Sequence, residues 1–224
     1  MGMYVVREGH GEDDALPTLI RRLAVHFQLE SLPYLAKNGN WRKPLLTQAH
    51  VSAVCEQVRG RGDCEALLLT RDADNDHLPH ADCPRFSAPE ISDWVRALQL
   101  PFPVAVVLFY REYETLFLAG ATSMAGKPIR DSRGRTVATV PTDVSAHPAP
   151  EHPRDAKGWV ESWLVERYKP TLLQASLTRL LDPDDAGLAA LSSFQRLVSA
   201  LTFLAGQAGV AGAVYPPSPV TANA

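Results

Sequence analysis

The run TRDADND at residues 70–76 places Asp72, Asp74 and Asp76 at alternate positions directly behind an apolar segment, residues 66–69. On extended backbone, side chains two apart point the same way. Three carboxylates on one side repel one another and lose solvation when crowded. A hard divalent cation offsets both costs, because Mg²⁺ binds through carboxylate oxygens at open, partly hydrated sites. The competing reading is a solvated acidic loop that caps the next helix. Glu8, in REGHGEDDA, has a similar setting behind a first short apolar stretch. A glutamate there can reach a metal or act as a base, and its neighbouring glycines let backbone approach a phosphate. It reads equally as a solvent-facing acid in a turn. Glu12 is less specific, since an acid at a helix start is favoured by the dipole alone.

Glu112 and Glu114, in REYE, follow a third apolar stretch. They point together if a strand continues through them, and not if a helix has begun. Either can hold a metal, pair with Arg111 or open a charged helix. Lys157 and Arg196 can balance a phosphate or a carboxylate, or serve as surface charges. His77 and His80 are three apart near Pro79 and read better as solvent-facing than as transition-metal ligands.

Other chemistries find little support. EGHGEDDA lacks the third glycine of GxGxxG and the GK[ST] ending of a phosphate loop. No GxSxG elbow is present, and the three cysteines, Cys55, Cys64 and Cys83, form no CxxC pair. Sparse, odd cysteine usage and the lack of a basic-then-apolar leader fit a reducing, cytoplasmic setting. No apolar run reaches the ~20 residues of a membrane span. The net charge of -3 argues against tight nonspecific nucleic-acid binding, although Arg130, Arg133 and Arg135 form a local basic patch.

The elements that must position these residues alternate. Strands are expected at 3–7, 66–69 and 103–110, and helices at 15–29, 47–59 and 87–98. Ser87 and Glu90 form the cap pattern of the last helix, and Asp13 or Asp14 caps the first. Residues 31–44 are mixed, with strand admissible. This alternation predicts an α/β fold with a mostly parallel sheet covered on both faces, its ligand site beyond the carboxyl ends of the strands. The 224 residues, 46% hydrophobic, suffice for one good core or a core with a small subdomain. The expected organisation is an α/β core over 1–120, an irregular insertion over 121–154, a helical extension over 155–210 and a disordered tail over 211–224. In the extension, helices are read at 155–166, 172–181 and 193–204. Trp94, Trp159 and Trp163 read as core packing.

Four pieces together resemble the DUF4276 family of divergent TOPRIM-like proteins: VVREGHGEDDALPTLIRRL at 5–23, LLLTRDADND at 67–76, YREYETLFLAG at 110–120 and LSSFQRLVSAL at 191–201. They span most of the chain. The resemblance implies a TOPRIM-like sheet in which Glu8 matches the glutamate after the first strand and Asp72 and Asp74 match the DxD motif, with Asp76 as an extra acid. It implies a Mg²⁺-dependent (or Mn²⁺-dependent) nuclease or phosphodiesterase acting on DNA or RNA. Asp72 and Asp74 would hold the ion, Glu8 would complete its shell or act as base, Glu112 or Glu114 would support a second ion, and Lys157 would neutralise phosphate. It also implies an effector partnered with an AAA-type or SMC-like ATPase in antiviral defence. Two other readings stay open: a noncatalytic interaction module on the same scaffold, and a Mg²⁺-dependent nucleotide-binding regulator.

Overall fold

The computed structural model describes residues 1–75, 78, 82–164 and 167–218. Asp76, His77 and His80 lie outside the described residues. In chain order the elements are β1 (Gly2–Arg7), α1 (Glu12–His26), β2 (Leu35–Arg42), α2 (Gln48–Arg59), β3 (Cys64–Ala73), α3 (Pro84–Ala97) and β4 (Val104–Tyr110). The remainder comprises α4 (Thr115–Ala119), α5 (Ala121–Met124), β5 (Pro128–Arg130), β6 (Thr136–Thr139), α6 (Ala156–Ser162), α7 (Pro170–Thr178), α8 (Ala186–Ala190), α9 (Ser192–Gly206) and β7 (Val214–Tyr215).

The main sheet runs β2-β1-β3-β4-β7, and every pairing in it is parallel. The chain leaves β1 for one edge and then returns across it to β3. The topological switch therefore lies between β1 and β3, where open parallel sheets bind their ligands beyond the strand ends. Side-chain alternation assigns the two faces. Met3, Val5, Ala66, Leu68, Ala105, Val107 and Phe109 pack with α1 and the carboxyl-terminal helices. Tyr4, Val6, Leu67, Leu69, Val104, Val106 and Leu108 pack with α2 and α3. Both faces are apolar because both are covered, as a parallel sheet requires.

Several expected boundaries move. The strand read at 66–69 continues through Ala73, so Asp72 belongs to the ladder, opposite Phe109. Helix α1 starts at Glu12 behind Gly11, which puts Asp13 and Asp14 in its first turn instead of at its cap. Helix α3 starts at Pro84, and the Ser87–Glu90 pattern falls inside it, with Ser87 buried. The region expected to be irregular contains the antiparallel β5–β6 hairpin. The tail is structured further than expected, since Val214 and Tyr215 pair with Val104 and Ala105. Trp159 is 47% exposed and meets His147 edge-on, so it is not a core residue. Among the described residues, no helix is long and apolar enough to cross a membrane.

One polar contact fixes the far face of β3. Arg71 follows the Leu67 and Leu69 side, is 2% exposed, and grips the fully buried carboxylate of Asp82 in a two-pronged ion pair. Its guanidinium also donates to the Asp72 carbonyl oxygen at 3.0 Å. Planar forks of this kind suit guanidinium and carboxylate geometry. Removing one partner of such a pair strands a buried charge. Asp82→Ala is expected to cost roughly 3–5 kcal/mol, and Asp82→Leu with Arg71→Met to recover most of it. Urea unfolding followed by circular dichroism measures both; a loss below about 1 kcal/mol for the single change would contradict this role.

Candidate functional site

The carboxyl ends of β1, β3 and β4 deliver acids from three directions. Arg7, the last residue of β1, is buried and braces the turn into α1, donating to Asp13 Oδ1 through Nε at 2.9 Å and to the Trp41 carbonyl at 3.0 Å. Beyond that turn, Glu12 begins α1 on the same stripe as Leu16, Leu19 and Leu23. Helical spacing thus points it inward with the leucines, and it is 3% exposed. Helix α7 packs tightly against this corner: a Cβ at Gly11 would stand 2.6 Å from the Pro170 Cβ and closer still to the Gln174 amide oxygen.

Asp72 shares the strand face of Ala66 and Leu68, and so looks toward α1. One of its oxygens accepts a hydrogen bond from the Tyr113 backbone N–H at 3.0 Å. That N–H is available because the chain leaves β4 sharply at Arg111, whose φ of 70° ends the ladder. The turn separates the two glutamates that flank Tyr113. Glu112 accepts from the backbone N–H of Lys157 at 3.1 Å and from its ammonium at 2.7 Å. Glu114, fully buried, accepts at Oε1 from the Tyr168 hydroxyl at 2.9 Å and the Gln174 amide at 3.1 Å. Tyr113 itself is locked between Phe109 and Phe117 and shares a hydrogen bond with Thr178 at 3.0 Å.

These acids feel one another. Burial pushes the Asp72 carboxyl well up, and Glu12, Glu114 and Glu112 add repulsion that Lys157 opposes. Burial, then Glu114, pushes Glu12 up to about 8. Glu114 is likewise raised by burial and by Glu112, with Lys157 pulling it down. For Lys157, burial acts to lower the ammonium's pKa, but Glu114, Glu112 and Asp72 outweigh it and raise the value. Oε2 of Glu12, Oε2 of Glu114 and Oε1 of Gln174 are buried without a hydrogen-bond partner. Orphaned buried oxygens are rare and costly.

The sequence-derived acids divide between this cluster and its rim. Glu8 is exposed. It sits in the bend just after β1 and is among the charges that raise Glu12. Its carboxyl is raised by partial desolvation, and the charges acting on it include Arg71, Asp74, Asp82 and Lys157. Asp74 is exposed just past the end of β3. Glu12, Asp72, Glu112 and Glu114 gather around the charge of Lys157, and Glu8, which feels Asp74, adds to the charges on Glu12. Arg196 serves structure, donating to Ser193 Oγ at 3.0 Å and lying 3.7 Å from Glu151. Sequence reasoning underrated Glu12 and missed Tyr168, Gln174, Arg71 and Asp82. The α1 stripe carried a signal for Glu12; the others come from distant segments with no local pattern.

The donor set suits a hard divalent cation: oxygens alone, several of them carboxylate, two orphaned and one neighbouring cation. Among the described residues, no three His, Cys, Asp or Glu side chains already enclose a position for a metal ion. Ion binding would require proton loss and small side-chain shifts within the cluster. No protein-family model, curated protein or solved structure matches this chain.

The raised carboxyls set a pH dependence. Between its ordinary value of 4.5 and about 8, Glu12 keeps in the folded protein a proton that the unfolded chain has released. Its contribution to stability is therefore complete below 4.5 and lost as pH rises through about 8. Thermal unfolding should show a midpoint that falls across this window, and Glu12→Gln should flatten the fall. Added Mg²⁺ or Mn²⁺ should raise the midpoint most at the alkaline end, because metal and proton compete for the same oxygens. An identical pH profile in wild type and Glu12→Gln would rule this out.

Proposed function

We propose that this protein is a metal-dependent phosphodiester hydrolase of the nuclease class. The observation that carries the reading is the pair of orphaned, buried carboxylate oxygens of Glu12 and Glu114, close enough to Asp72 for all three acids to disturb one another. Its position at the switch point of a parallel sheet adds support, as does the resemblance to DUF4276 and TOPRIM-like proteins. Glu12, Asp72 and Glu114 would hold Mg²⁺ or Mn²⁺, with Glu8 and Asp74 as exposed acids nearby. When bound, the ion would supply Lewis-acid stabilisation to a phosphate oxygen and make its water more acidic.

The chain's own residues then have distinct tasks. Tyr113 N–H holds one Asp72 oxygen and so fixes which way the carboxylate turns. Tyr168 and Gln174 do the same for Glu114. Glu112 tethers Lys157, whose side chain is 42% exposed and whose ammonium would meet a substrate phosphate without leaving its partner. Glu8, exposed and with a carboxyl raised by desolvation, would be the base that takes a proton from water.

A noncatalytic interaction module is the second reading, favoured by the Lys157–Glu112 pair and by the lack, among the described residues, of a ready enclosure of three acids. Labelled single- and double-stranded DNA and RNA, offered with Mg²⁺ or Mn²⁺ and with or without an ATPase encoded beside this chain, separate the two. Cutting is expected in wild type, and Asp72→Asn and Glu114→Gln should each lose on the order of a hundredfold or more while staying folded, the scale of losing one electrostatic stabiliser. No cutting in any combination, together with no metal binding by calorimetry, would leave the interaction module.

A further inference from the structure

Beside the acids lies a second feature of opposite sign. A groove of about 1020 Å³ runs between the β5–β6 hairpin and α7. Arg130, Arg167, Lys169 and Arg179 line it, and all four are exposed. Its walls also present Leu172, 65% exposed, and Val137, 42% exposed. Two acids line it as well, Asp14 and Asp131. Asp131 is already occupied: it accepts from Arg135 Nε at 2.8 Å and from the backbone N–H groups of Arg133 and Arg135.

The cations are held by rigid parts. Ser176 Oγ and Arg179 Nη2 both donate to the Arg130 carbonyl, at 2.6 and 3.3 Å, and clamp the hairpin onto α7. The Asp131 contacts shape the hairpin turn, where Gly134 takes a φ of 78° and its carbonyl accepts from Arg130 at 3.0 Å. Arg130 and Arg179 are fixed in this way, Arg167 lies 4.0 Å from Glu161, and with Lys169 they present a cluster of cations that attracts a polyanion.

The groove also shares two walls with the acid cluster. On α1, Glu12 belongs to the cluster, while Asp14 and Thr18 border the groove. In the segment entering α7, Tyr168 reaches Glu114 while its neighbours Arg167 and Lys169 line the groove. The groove and the acid cluster therefore draw on neighbouring residues of the same two segments, with Glu12 and Tyr168 turned inward and Asp14, Arg167 and Lys169 outward.

We infer that this groove is the track of a single nucleic-acid strand, its phosphates on Arg130, Arg167, Lys169 and Arg179 and its sugars and bases against Leu172 and Val137. The inference names the substrate class of the proposed hydrolase and rests on that reading for what happens at the acids, but the binding itself needs no metal. Charge complementarity selects a polyanion. The exposed apolar wall selects unpaired bases over a duplex, whose bases are stacked away.

The test is fluorescence anisotropy of the full chain with a labelled single-stranded oligonucleotide, as DNA and as RNA, in EDTA. Wild type should bind with affinity that falls as salt rises, by about 0.7 in log–log slope for each phosphate held. Lys169→Glu with Arg179→Glu should weaken binding by about tenfold or more and make the slope shallower by about one to one and a half. The neutral pair Lys169→Gln and Arg179→Gln should show a smaller loss in the same direction and controls for folding, checked by circular dichroism. Arg85→Glu, an exposed reversal on α3 against the other face of the sheet, should leave binding intact. No oligonucleotide binding by wild type, unchanged affinity in the Lys169 and Arg179 variants, or equal displacement by polyglutamate would overturn the inference, the last in favour of an acidic protein. Hydrolysis of bis(4-nitrophenyl) phosphate by wild type, with Mg²⁺ or Mn²⁺, separates the two proposals. Oligonucleotide binding without hydrolysis upholds the groove and counts against the hydrolase; hydrolysis without binding does the reverse.

Discussion

Like charge held away from water is the constraint around which this structure is arranged. Glu12, Asp72, Glu112 and Glu114 come from three separate parts of the chain and share one ammonium, that of Lys157. In a medium of low dielectric, repulsion between carboxylates is far larger than in water. The fold answers with directed donors: a backbone N–H for Asp72, a phenol and an amide for Glu114, and an ammonium with its own backbone N–H for Glu112. The answer is incomplete at two oxygens, and an arrangement left short of positive charge holds its protons more tightly. Glu12 expresses this as a carboxyl pushed up to about 8.

The two faces of β3 show opposite solutions to burying charge. On one face Arg71 and Asp82 form a buried ion pair. On the other face, one residue further along, Asp72 is left among acids. Strand alternation alone creates the division, because successive side chains point to opposite sides. Asp82 is buried behind the sheet as a structural anchor, whereas Asp72 looks into a polar site between the sheet, α1 and the segment entering α7.

Charge is also sorted on the scale of the whole molecule. A net charge of -3 describes neither the acid cluster nor the groove beside it. The acids gather at the strand ends, and the cations collect on a hairpin and a helix that the chain adds after the sheet's fourth strand. These additions are tied back to α1 through Gly11 and the Pro170–Gln174 corner, so that regions far apart in sequence form one surface.

What the sequence determined by itself was local in origin. Alternating apolar runs and helical stripes marked β1, β4, α2 and α9 closely, and the order of the elements was enough for a mostly parallel α/β sheet. Asp72, Glu112, Glu114 and Lys157 were legible as residues of interest because acids and cations beside strand ends or helix starts are conspicuous. Only the tertiary structure decided which of them meet. The turn at Arg111 sends Glu112 and Glu114 to different partners, a choice that two-residue spacing cannot reveal. Glu12 became a buried member of the cluster once α1 began there with its stripe turned inward, while Glu8, in the bend after β1, stayed exposed. Tyr168 and Gln174 were invisible beforehand, since nothing local says that a tyrosine in an irregular segment will donate to a glutamate 54 residues earlier. The physical reason is the same throughout: periodicity fixes a side chain's direction relative to its own element, but burial, pairing and repulsion depend on what the other elements bring to that side.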